Sequence, residues 1–508
     1  MTLLDSTAWQ LLGHTALLVL ATLAVSLPLG TLLAVLLVRT NLPLRRLWLA
    51  VLGMQLFVPL YVHAAAWDSG FGVTGWFTTL VGGETVWLEA FRGAVWIHVV
   101  SALPWVVLIV GCGTWFVEPE LEEDALLHTS AGEVLFRVTL RRALPAVGIA
   151  ALWVAAMTAG EITATDLFRV RTFAEEIYMA LSGGAGSTDA LTTVAPLVLI
   201  VAGLVLAAVV LLGRMTPRDL PASIRSRPVL TLGSARGWMG AIVAALMSVL
   251  IAVPLGSLVF KAGVEVVKVD GDVQRQWSAG VLLDRVWDSG PRFADELQWS
   301  FELGFFAATA ATLGGLLLAW WLRDVRAGSL PVLAALSAAL ALPGPLVALG
   351  IIFLLNRDLP GLTTLYDQTL LAPWLALIVR TLPWTTLVLW FAVRSVPKDV
   401  LDAAAIDGAG SARRLVRIVL PLRRGALLLA WLVAFVLSVG DMAFTVIVLP
   451  PGVETISVRI FRLIHAAADS EVAAVCLMLL LAQAAAMLAA AWVLRWELGR
   501  QSRESGAA

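Results

Sequence analysis

Three ionisable side chains lie inside otherwise apolar stretches of the sequence, and they are its first candidates for chemistry. Glu161 and Asp441 each follow a glycine, and Arg380 lies in the run "LIVRTLPW". A charge in apolar surroundings is costly unless it is paired, hydrogen bonded or used. We therefore expect these side chains to line a pathway for a charged solute, with Arg380 pairing with a carboxylate or meeting an anionic substrate. The alternative is that both carboxylates are satisfied structural groups.

A second candidate site is the stretch from Asp402 to Pro421, "DAAAIDGAGSARRLVRIVLP", which interrupts the apolar sequence with arginines and glycines. Its first residues are good helix formers, and Asp402 lies near a helix start, where a carboxylate is favoured. Gly408 and Gly410 permit a sharp turn, and a second, basic helical segment follows. The stretch is therefore predicted to be a helix, a turn and a helix, either as a docking element or as an ordinary basic loop.

The remaining polar residues form no catalytic or metal-binding pattern. The five histidines have no metal-ligand spacing, the two cysteines fall in apolar runs, and no phosphate-binding glycine loop is present. The 35 basic and 36 acidic residues nearly cancel, so composition suggests no nucleic-acid partner. We expect no catalytic residue, no metal site and no cofactor bound by this chain. The residues concerned are His14, His63, His98, His128, His465, Cys112 and Cys476.

The elements that position these residues are predicted to be membrane helices. Of the 508 residues, 60% are hydrophobic and 14% are charged, and the mean hydropathy is +0.89. Apolar runs of about 20 residues recur along the chain, each long enough to cross a hydrocarbon core as a helix. The chain is therefore predicted to be an all-α, multi-pass membrane protein. We interpret most of its 21 tryptophans as interface anchors or packing residues.

Apolar runs between charged breaks predict about eleven spans. Alternate loops hold roughly twice as many Lys and Arg residues as the others, which places the N-terminus outside and the C-terminus in the cytoplasm. The stretch 402–421 is then cytoplasmic, and the long loop 261–302 is external. That loop is either a small folded cap or a solvated connection, and we expect the connection. The spans are predicted at 10–38, 47–67, 94–116, 143–165, 192–213, 238–260, 303–322, 329–354, 372–394, 425–449 and 471–494.

An internal repeat relates the two parts of the chain. Residues 101–125 align without gaps to 380–404, at an offset of 279, and both segments contain Leu-Pro-Trp. "MTAGEITAT", which contains Glu161, matches "LSVGDMAFT", which contains Asp441, and "LFVPL" matches "LALPG". An even number of spans separates equivalent points, so the halves run in the same sense and pack about an axis along the membrane normal. The two carboxylates would then face each other across this axis.

The repeat sets the predicted domain boundaries. Residues 1–213 form the first half, with about five spans, and 238–508 form the second half, with about six spans and the external loop. Residues 214–237, rich in proline, arginine and serine, are predicted to be a cytoplasmic linker. The run 238–260 is then an extra helix that opens the second half.

The stretch 402–421 resembles the signature of ABC importer permeases, in which Glu-Ala-Ala is followed at set spacings by Gly and by Ile-x-Leu-Pro. Its Asp in place of Glu is the one departure. The first-half counterpart departs further, because Thr129 stands where glycine belongs and Arg141 where proline belongs. We expect it to be a docking helix with a different turn and weaker coupling, or a merely structural loop. The matching residues are Asp402, Ala403, Ala404, Gly408, Ile418, Leu420 and Pro421 in the second half and Glu123, Ala125, Val138 and Leu140 in the first.

The resemblance implies two tandem, parallel repeats of a type I ABC importer transmembrane domain in a bacterial inner membrane. In that family the segment is a coupling helix that docks into a groove of the ATP-hydrolysing subunit. The implied partners are a dimer of ATP-binding cassette ATPases, which binds ATP and Mg, and a periplasmic or extracytoplasmic substrate-binding protein. The ATPase activity is then expected in the partner, and this chain is not expected to be an enzyme.

The expected substrate is iron(III). Fused halves of this size resemble iron(III) import permeases, and residues 160–178, "GEITATDLFRVRTFAEEIY", are similar to the first-half segment of that group. Thiamine, phosphonate, polyamine and sulfate stay open as alternatives, because their permeases are related. A secondary transporter driven by an ion gradient is the alternative from another class, since it too has repeats and buried charges. A membrane scaffold without transport activity is a third interpretation.

Overall fold

The computed structural model describes residues 6–82, 86–182, 199, 201–211, 230–269, 272–323, 329–357 and 361–485, and helices dominate this part of the chain. The helices up to residue 211 are α1 (Ser6–Ala34), α2 (Arg45–Gln55), α3 (Leu60–Phe71), α4 (Trp76–Leu80), α5 (Ala90–Trp115), α6 (Pro119–His128), α7 (Ala131–Val134), α8 (Leu140–Ala159), α9 (Thr163–Leu167), α10 (Phe173–Ser182) and α11 (Val201–Leu211). Those after it are α12 (Arg236–Gly263), α13 (Ala279–Arg292), α14 (Ala294–Leu322), α15 (Leu330–Ala341), α16 (Gly344–Leu355), α17 (Leu362–Gln368), α18 (Leu371–Arg394), α19 (Lys398–Ile406), α20 (Ser411–Arg414), α21 (Leu420–Leu422), α22 (Arg424–Val439), α23 (Ile456–His465) and α24 (469–485). Strands β1 (Val264–Val269) and β2 (Asp272–Trp277) form an antiparallel hairpin, and π-helical segments cover Val35–Arg39, Leu135–Thr139 and Leu415–Val419.

Long apolar helices make this chain a multi-pass membrane protein. By length and composition, six helical segments of the described residues can cross a membrane, or up to nine if each bent pair counts as one span. The predicted spans 94–116, 303–322 and 372–394 each fall on a single helix. The predicted spans 192–213 and 471–494 lie partly outside the described residues. The count of eleven, the parallel repeat and the orientation stay predictions.

Two of the predicted spans are not single straight helices, because each is broken at a proline. The span 47–67 is α2 followed by α3, bent by 103°, and the span 329–354 is α15 followed by α16, bent by 114°. Pro59 and Pro343, at the breaks, have extended backbones with ψ of 153° and 147°. Proline lacks a backbone N–H and disfavours helical geometry in the residue before it, so the chain turns at each break. The two breaks fall in the matching segments "LFVPL" and "LALPG".

Two further predicted spans are too long at their C-terminal ends. The helix α8 ends at Ala159 and α22 ends at Val439, whereas the predictions continued to 165 and 449. Glu161 and Asp441 therefore lie in irregular backbone just after a helix. Each carboxylate accepts a hydrogen bond from a backbone N–H two or three residues further along, and such local bonds compete with the continuation of a helix.

The segment 261–302, expected to be a solvated connection, is folded, and that expectation is wrong. It contains the β1–β2 hairpin, the helix α13 and the first turns of α14. Nη1 of Arg285 in α13 donates to the carbonyl oxygens of Ala262 and Val264, at 2.8 and 2.7 Å, so α13 packs back on the start of the hairpin. The valine-rich run "VEVVKV" favours a strand, a pattern that a count of charges in the loop conceals.

Each of the two predicted halves contains three long helices that pack together. In the first half α1 packs against α5 and α8, and in the second half α14 packs against α18 and α22. The contact between α14 and α18 needs a glycine, since a Cβ on Gly315 would lie 2.6 Å from Oγ1 of Thr385 and 3.0 Å from the backbone nitrogen of Thr386. Equivalent helices thus make equivalent contacts.

The helix α12 packs on the first half, although the sequence grouped it with the second. The indole N–H of Trp76 donates to Oγ of Ser257 at 3.1 Å, and Nζ of Lys261 donates to the carbonyl oxygen of Thr74 at 2.8 Å. Met247 of the same helix is fully buried in a core that contains residues of α1 and α5. This helix therefore joins the two halves.

We expect Gly315→Leu to destabilise the protein, because the new side chain would overlap Thr385 and the backbone of α18. Overpacking of this kind costs about 1–3 kcal/mol. Thermal unfolding of the purified protein in detergent measures the loss. The control is Gly350→Leu on an exposed face of α16, where a Cβ would meet no atom within 4 Å. Equal melting temperatures for the two variants would contradict the close contact between α14 and α18.

Candidate functional site

The breaks in the apolar helices converge on one cavity of about 130 Å³ between the two halves. Pro59 and Leu342 line the cavity from the two proline breaks, and Gly160 and Gly440 line it from the two helix ends. Residues of α5, α8 and α18 complete the wall. Four interruptions of helical backbone, two from each half, therefore meet around a space that can receive a small solute.

Arg380 and Asp441 form an ion pair beside this cavity. Nη1 of Arg380 contacts Oδ1 of Asp441, whose side chain is fully buried, while the Arg380 side chain is 17% exposed and lines the cavity. The other carboxylate oxygen accepts a hydrogen bond from the backbone nitrogen of Phe444 at 3.2 Å, and the Phe444 ring lies 5.2 Å from the guanidinium carbon. The sequence led us to expect Asp441 to face the pathway, but the structure buries it behind Arg380.

Glu161 lines the cavity from the first half and caps the short helix α9. Its Oε1 accepts a hydrogen bond from the backbone nitrogen of Thr163 at 2.6 Å, and its Oε2 accepts one from that of Ala164 at 2.8 Å. Nε2 of His98 lies 3.7 Å from Oε2, and Nδ1 of the same ring lies 2.7 Å from the carbonyl oxygen of Ala94. The carboxylate thus has a structural role, and with its side chain 16% exposed it also remains open to the cavity.

The two carboxylates occupy equivalent positions in the predicted repeat, but only Asp441 has an arginine partner among the described residues. Arg380 neutralises Asp441, whereas the first half has Ser101 at the position equivalent to Arg380. Within the described residues, no arginine forms an ion pair with Glu161, whose nearest ionisable neighbour is His98. Arg380 carries one positive charge, and Asp441 and Glu161 carry two negative charges, so these three groups sum to a single negative charge. Such a site attracts a cation rather than an anion.

Three tryptophans form one wall of the cavity, and sequence reasoning missed them. The ring centroids of Trp105 and Trp153 lie 4.3 Å apart, and those of Trp153 and Trp384 also lie 4.3 Å apart. All three line the cavity. The face of an indole ring attracts cations. The shared Leu-Pro-Trp of the repeat, which makes Trp105 and Trp384 equivalent, is the signal that could have identified them.

The predicted docking stretch of the second half is a helix, a glycine turn and a second helix. The helix α19 ends at Ile406, Gly408 has a φ of +80°, and α20 begins at Ser411. A residue with a side chain is strained at that φ, although a Cβ on Gly408 would meet no atom within 4 Å. Of the predicted coupling residues, Asp402, Ala403, Gly408 and Pro421 are exposed, and Ala404, Ile418 and Leu420 are partly buried.

This docking element is anchored to the long helices on one side and free on the other. Leu401 is buried in a cluster with residues of α14 and α18, and the indole N–H of Trp320 donates to Oγ of Ser411 at 2.9 Å. On the free side, the side chain of Ile406 is 86% exposed and that of Val400 is 42% exposed. The element therefore presents an apolar tip on a rigid base.

The first-half counterpart is also a helix, a turn and a helix, but its turn is different. The helix α6 ends at His128, and Thr129 has an extended backbone with φ of −151° and ψ of 171°. Oγ of Ser130 then accepts a hydrogen bond from the backbone nitrogen of Glu133 at 3.4 Å and caps α7. Of the predicted coupling residues here, Glu123 is exposed, and Ala125, Val138 and Leu140 are partly buried.

A buried ion pair ties the first docking element to α1. Glu122 occupies the position equivalent to Leu401 and pairs with Arg39, at the end of the π-helical segment that follows α1. The hydroxyl of Thr139 donates to the other oxygen of Glu122 at 2.6 Å, and Nη1 of Arg39 donates to the carbonyl oxygen of Thr114 at 3.3 Å. Sequence reasoning missed this network, because the folded chain brings together residues that are distant in sequence.

The described residues contain no group of three or more His, Cys, Asp and Glu side chains that could hold a metal ion. Both Cys112 and Cys476 are free cysteines. In the described part of the chain, a ligand set for a tightly bound iron ion is therefore not found.

Residues 311–496 match the family model described as the binding-protein-dependent transport system inner membrane component. This match, together with the relatives described below, supports the interpretation of the chain as an ABC importer permease. The matched region contains Arg380, the docking element with Gly408, and Asp441. The matched region therefore contributes one side of the cavity, and residues before it, among them Glu161, contribute the other.

Curated proteins with sequence similarity to this chain are named as polyamine permeases. The spermidine/putrescine transport system permease protein PotC of Haemophilus influenzae is 29% identical over 174 residues, which are 34% of this chain and 65% of that protein. The putrescine transport system permease protein PotI of Escherichia coli K12 is 26% identical over 183 residues, 36% of this chain and 65% of that protein. PotC of Escherichia coli K12 is 25% identical over 198 residues, 39% of this chain and 73% of that protein. The chain thus spans 65% of the length of the first two relatives.

We expect Asp441→Asn to destabilise the protein more than the double variant Arg380→Gln/Asp441→Asn. The single change leaves the arginine without its counter-charge, which for buried pairs costs up to about 3–5 kcal/mol, whereas the double change removes both charges. Thermal unfolding of the wild type, both single variants and the double variant in one detergent gives the coupling between the two residues. The control is Glu176→Gln, because Glu176 pairs with Arg171 where both side chains are exposed. Strictly additive effects of the single variants would show that the pair contributes nothing to stability.

Proposed function

We propose that this chain is the transmembrane permease subunit of an ATP-driven ABC importer, which moves its substrate by alternating access. The observation that carries the proposal is the exposed docking helix α19 with its glycine turn, in a region that matches the permease family. According to this proposal, the chain itself catalyses no reaction. Hydrolysis of ATP with Mg takes place in a dimer of partner ATPases, and an extracytoplasmic binding protein delivers the substrate to the bacterial inner membrane.

The docking element stands between two helices that reach the cavity. The helix α18 carries Arg380 and ends just before α19, and α22 begins just after the element and ends beside Asp441. A packed helix moves as a rigid body, so a displacement of α19 would tilt α18 and α22 together. The ion pair joins these two helices at the cavity. Closure of the ATPases can therefore act on the cavity through the second half.

The exposed apolar side chains of both docking elements fit a groove on another protein. Ile406 is 86% exposed in the second half, and Leu127 is 80% exposed in the first. A short helix that inserts apolar side chains into a groove is a recurring mode of recognition. Because the two turns differ, and the Arg39–Glu122 pair anchors the first element alone, we infer that the two ATPases are contacted differently.

We infer that the substrate is a small organic cation of the polyamine class. The cavity has one uncompensated carboxylate, on Glu161, and a wall of three indole rings. Ammonium groups bind carboxylates by charge and indole faces by cation–π attraction. The curated relatives named above are polyamine permeases, which agrees with this inference.

Iron(III), the substrate expected from the sequence, receives no support from these relatives, whose names refer to polyamines. The first-half resemblance to iron(III) permeases stays a prediction, and recognition of iron would then belong to the binding protein. Anionic substrates such as sulfate or phosphonate fit the charge of the cavity poorly, because Arg380 is already neutralised by Asp441.

Reconstitution in vesicles tests the proposal directly. The chain is inserted together with its cognate ATPase and binding protein, and uptake of labelled spermidine, putrescine and chelated iron(III) is followed with and without ATP. We expect ATP-dependent, binding-protein-dependent uptake of a polyamine. Uptake driven by an ion gradient in vesicles that hold the chain alone would overturn the importer proposal in favour of a secondary transporter. ATP-dependent uptake of iron(III) but not of polyamines would keep the importer and change its substrate.

We expect Gly408→Val to uncouple ATP hydrolysis from uptake while the protein still inserts and purifies. A β-branched residue at a φ of +80° is strained, so the turn between α19 and α20 must change shape. Gly408→Asn should retain most uptake, because asparagine tolerates this conformation. The control is Gly410→Val, since Gly410 has an extended backbone with φ of −63° and ψ of 166°. Undiminished substrate-stimulated ATPase activity and uptake in Gly408→Val would refute a coupling role for the turn.

We expect Glu161→Gln to lower uptake of the cation about tenfold, mainly through a higher KM, because the loss of a favourable charge contact of about 1.4 kcal/mol is a tenfold change in affinity. The variant should still copurify with the ATPase, since the docking elements are untouched. The matched control is Glu176→Gln, whose carboxylate pairs with Arg171 away from the cavity. An unchanged KM in Glu161→Gln would remove this residue from the pathway.

A further inference from the structure

A second cavity, of about 580 Å³, lies between α2 and α5 beside the end of α1. It shares one lining residue, Leu56, with the substrate cavity. Its volume falls within the range of roughly 300–1,000 Å³ that is usual for ligand sites. Nothing in the transport proposal uses this space.

The wall of the second cavity is apolar along most of its length. Leucines of α2 form one side, and valine, leucine and proline side chains of α5 form the other. Gly53 contributes to the space, because a Cβ on this residue would meet no atom within 4 Å. An apolar volume between membrane helices does not hold water stably, so a hydrocarbon chain is the occupant that its chemistry favours.

Basic side chains stand at one end of this apolar space. Arg39, Arg45 and Arg46 all line the cavity. Arg39 is neutralised by Glu122, whereas no ion pair of Arg45 or Arg46 with a carboxylate is found among the described residues. Arg45 is held in place because its Nη1 donates to the carbonyl oxygen of Thr40 at 2.6 Å. Two uncompensated positive charges therefore lie beside the hydrocarbon-like volume.

Exposed apolar side chains lie around the rim of the cavity. Leu44, Leu47 and Trp115 are 63%, 50% and 57% exposed, and they border the arginines and the end of α5. An apolar partner helix would fill the groove but leave the two charges unmatched. A free phosphate would match the charges but leave the groove empty. An anionic phospholipid matches both parts, since its phosphate accepts hydrogen bonds from arginine and its acyl chain is apolar.

We propose that this cavity binds one anionic phospholipid, with an acyl chain between α2 and α5 and the phosphate at Arg45 and Arg46. Because Arg39 lines the cavity and also pairs with Glu122 of α6, the bound lipid touches the support of the first docking element. If the proposed importer function holds, this end of α1 faces the cytoplasm and the lipid comes from the inner leaflet. The lipid site itself does not depend on that function.

Lipid retention by the purified chain tests the proposal without ATPase or binding protein, so its result is independent of the transport proposal. The chain is placed in bilayer nanodiscs of equal parts phosphatidylglycerol and phosphatidylethanolamine, released, and analysed by native mass spectrometry. We expect one retained phosphatidylglycerol per chain, with a preference of about fivefold or more over phosphatidylethanolamine. Equal retention of both lipids by the wild type would overturn the proposal.

Two kinds of variant test the headgroup contacts and the apolar groove separately. Arg45→Gln/Arg46→Gln should abolish the headgroup preference, and Arg46→Gln alone, which leaves the bond to Thr40 intact, should reduce it. Gly53→Phe should fill the groove and lower retention of every lipid. The controls are Arg236→Gln and Gly256→Phe, both at exposed positions of α12 outside the cavity.

The variant results can contradict the proposal in two ways. An unchanged preference in the arginine variants, with melting temperatures like that of the wild type, would show that the arginines do not bind the headgroup. Unchanged retention in Gly53→Phe would show that lipid binds to a surface charge patch and not in the cavity.

Discussion

The structure depends on one constraint: a helix that is interrupted in apolar surroundings must still satisfy its free backbone groups. Four interruptions of helical backbone meet at one cavity. They lie at Pro59, Pro343, Gly160 and Gly440. After α8 the carboxylate of Glu161 accepts hydrogen bonds from two backbone N–H groups, and after α22 a carboxylate has the same role for one. The candidate site therefore lies where irregular backbone is covered by protein.

The two parts of the chain that the predicted repeat relates differ in their charged residues and in their turns. Arg380 of α18 neutralises Asp441, whereas Ser101 stands at the matching position of the first part, and Glu161 has no arginine partner among the described residues. Likewise, the second docking element turns at a glycine and rests on Leu401, whereas the first turns at Thr129 and rests on the buried pair of Glu122 with Arg39.

Much of the helical framework could be predicted from the sequence, and the errors have a common physical cause. A hydropathy average over about 20 residues detects that a segment is apolar, but it does not detect that Pro59 or Pro343 breaks it. The same averaging made two predicted spans too long, because they continued beyond the helix ends at Gly160 and Gly440. In the loop after α12, counting charges concealed the valine-rich strand β1, which pairs with β2 through backbone bonds that charge does not influence.

The sequence by itself determined that the chain is apolar enough for many membrane helices, that two segments repeat, and that a glycine turn lies at a set spacing within a basic stretch. These properties follow from local composition and order. Only the tertiary structure decided that Arg380 pairs with Asp441 and not with Glu161, that three tryptophans form one wall, and that Arg39 holds the first docking helix. Contacts between residues far apart in sequence depend on how the helices bend and pack, and those angles arise from the interactions of the whole chain.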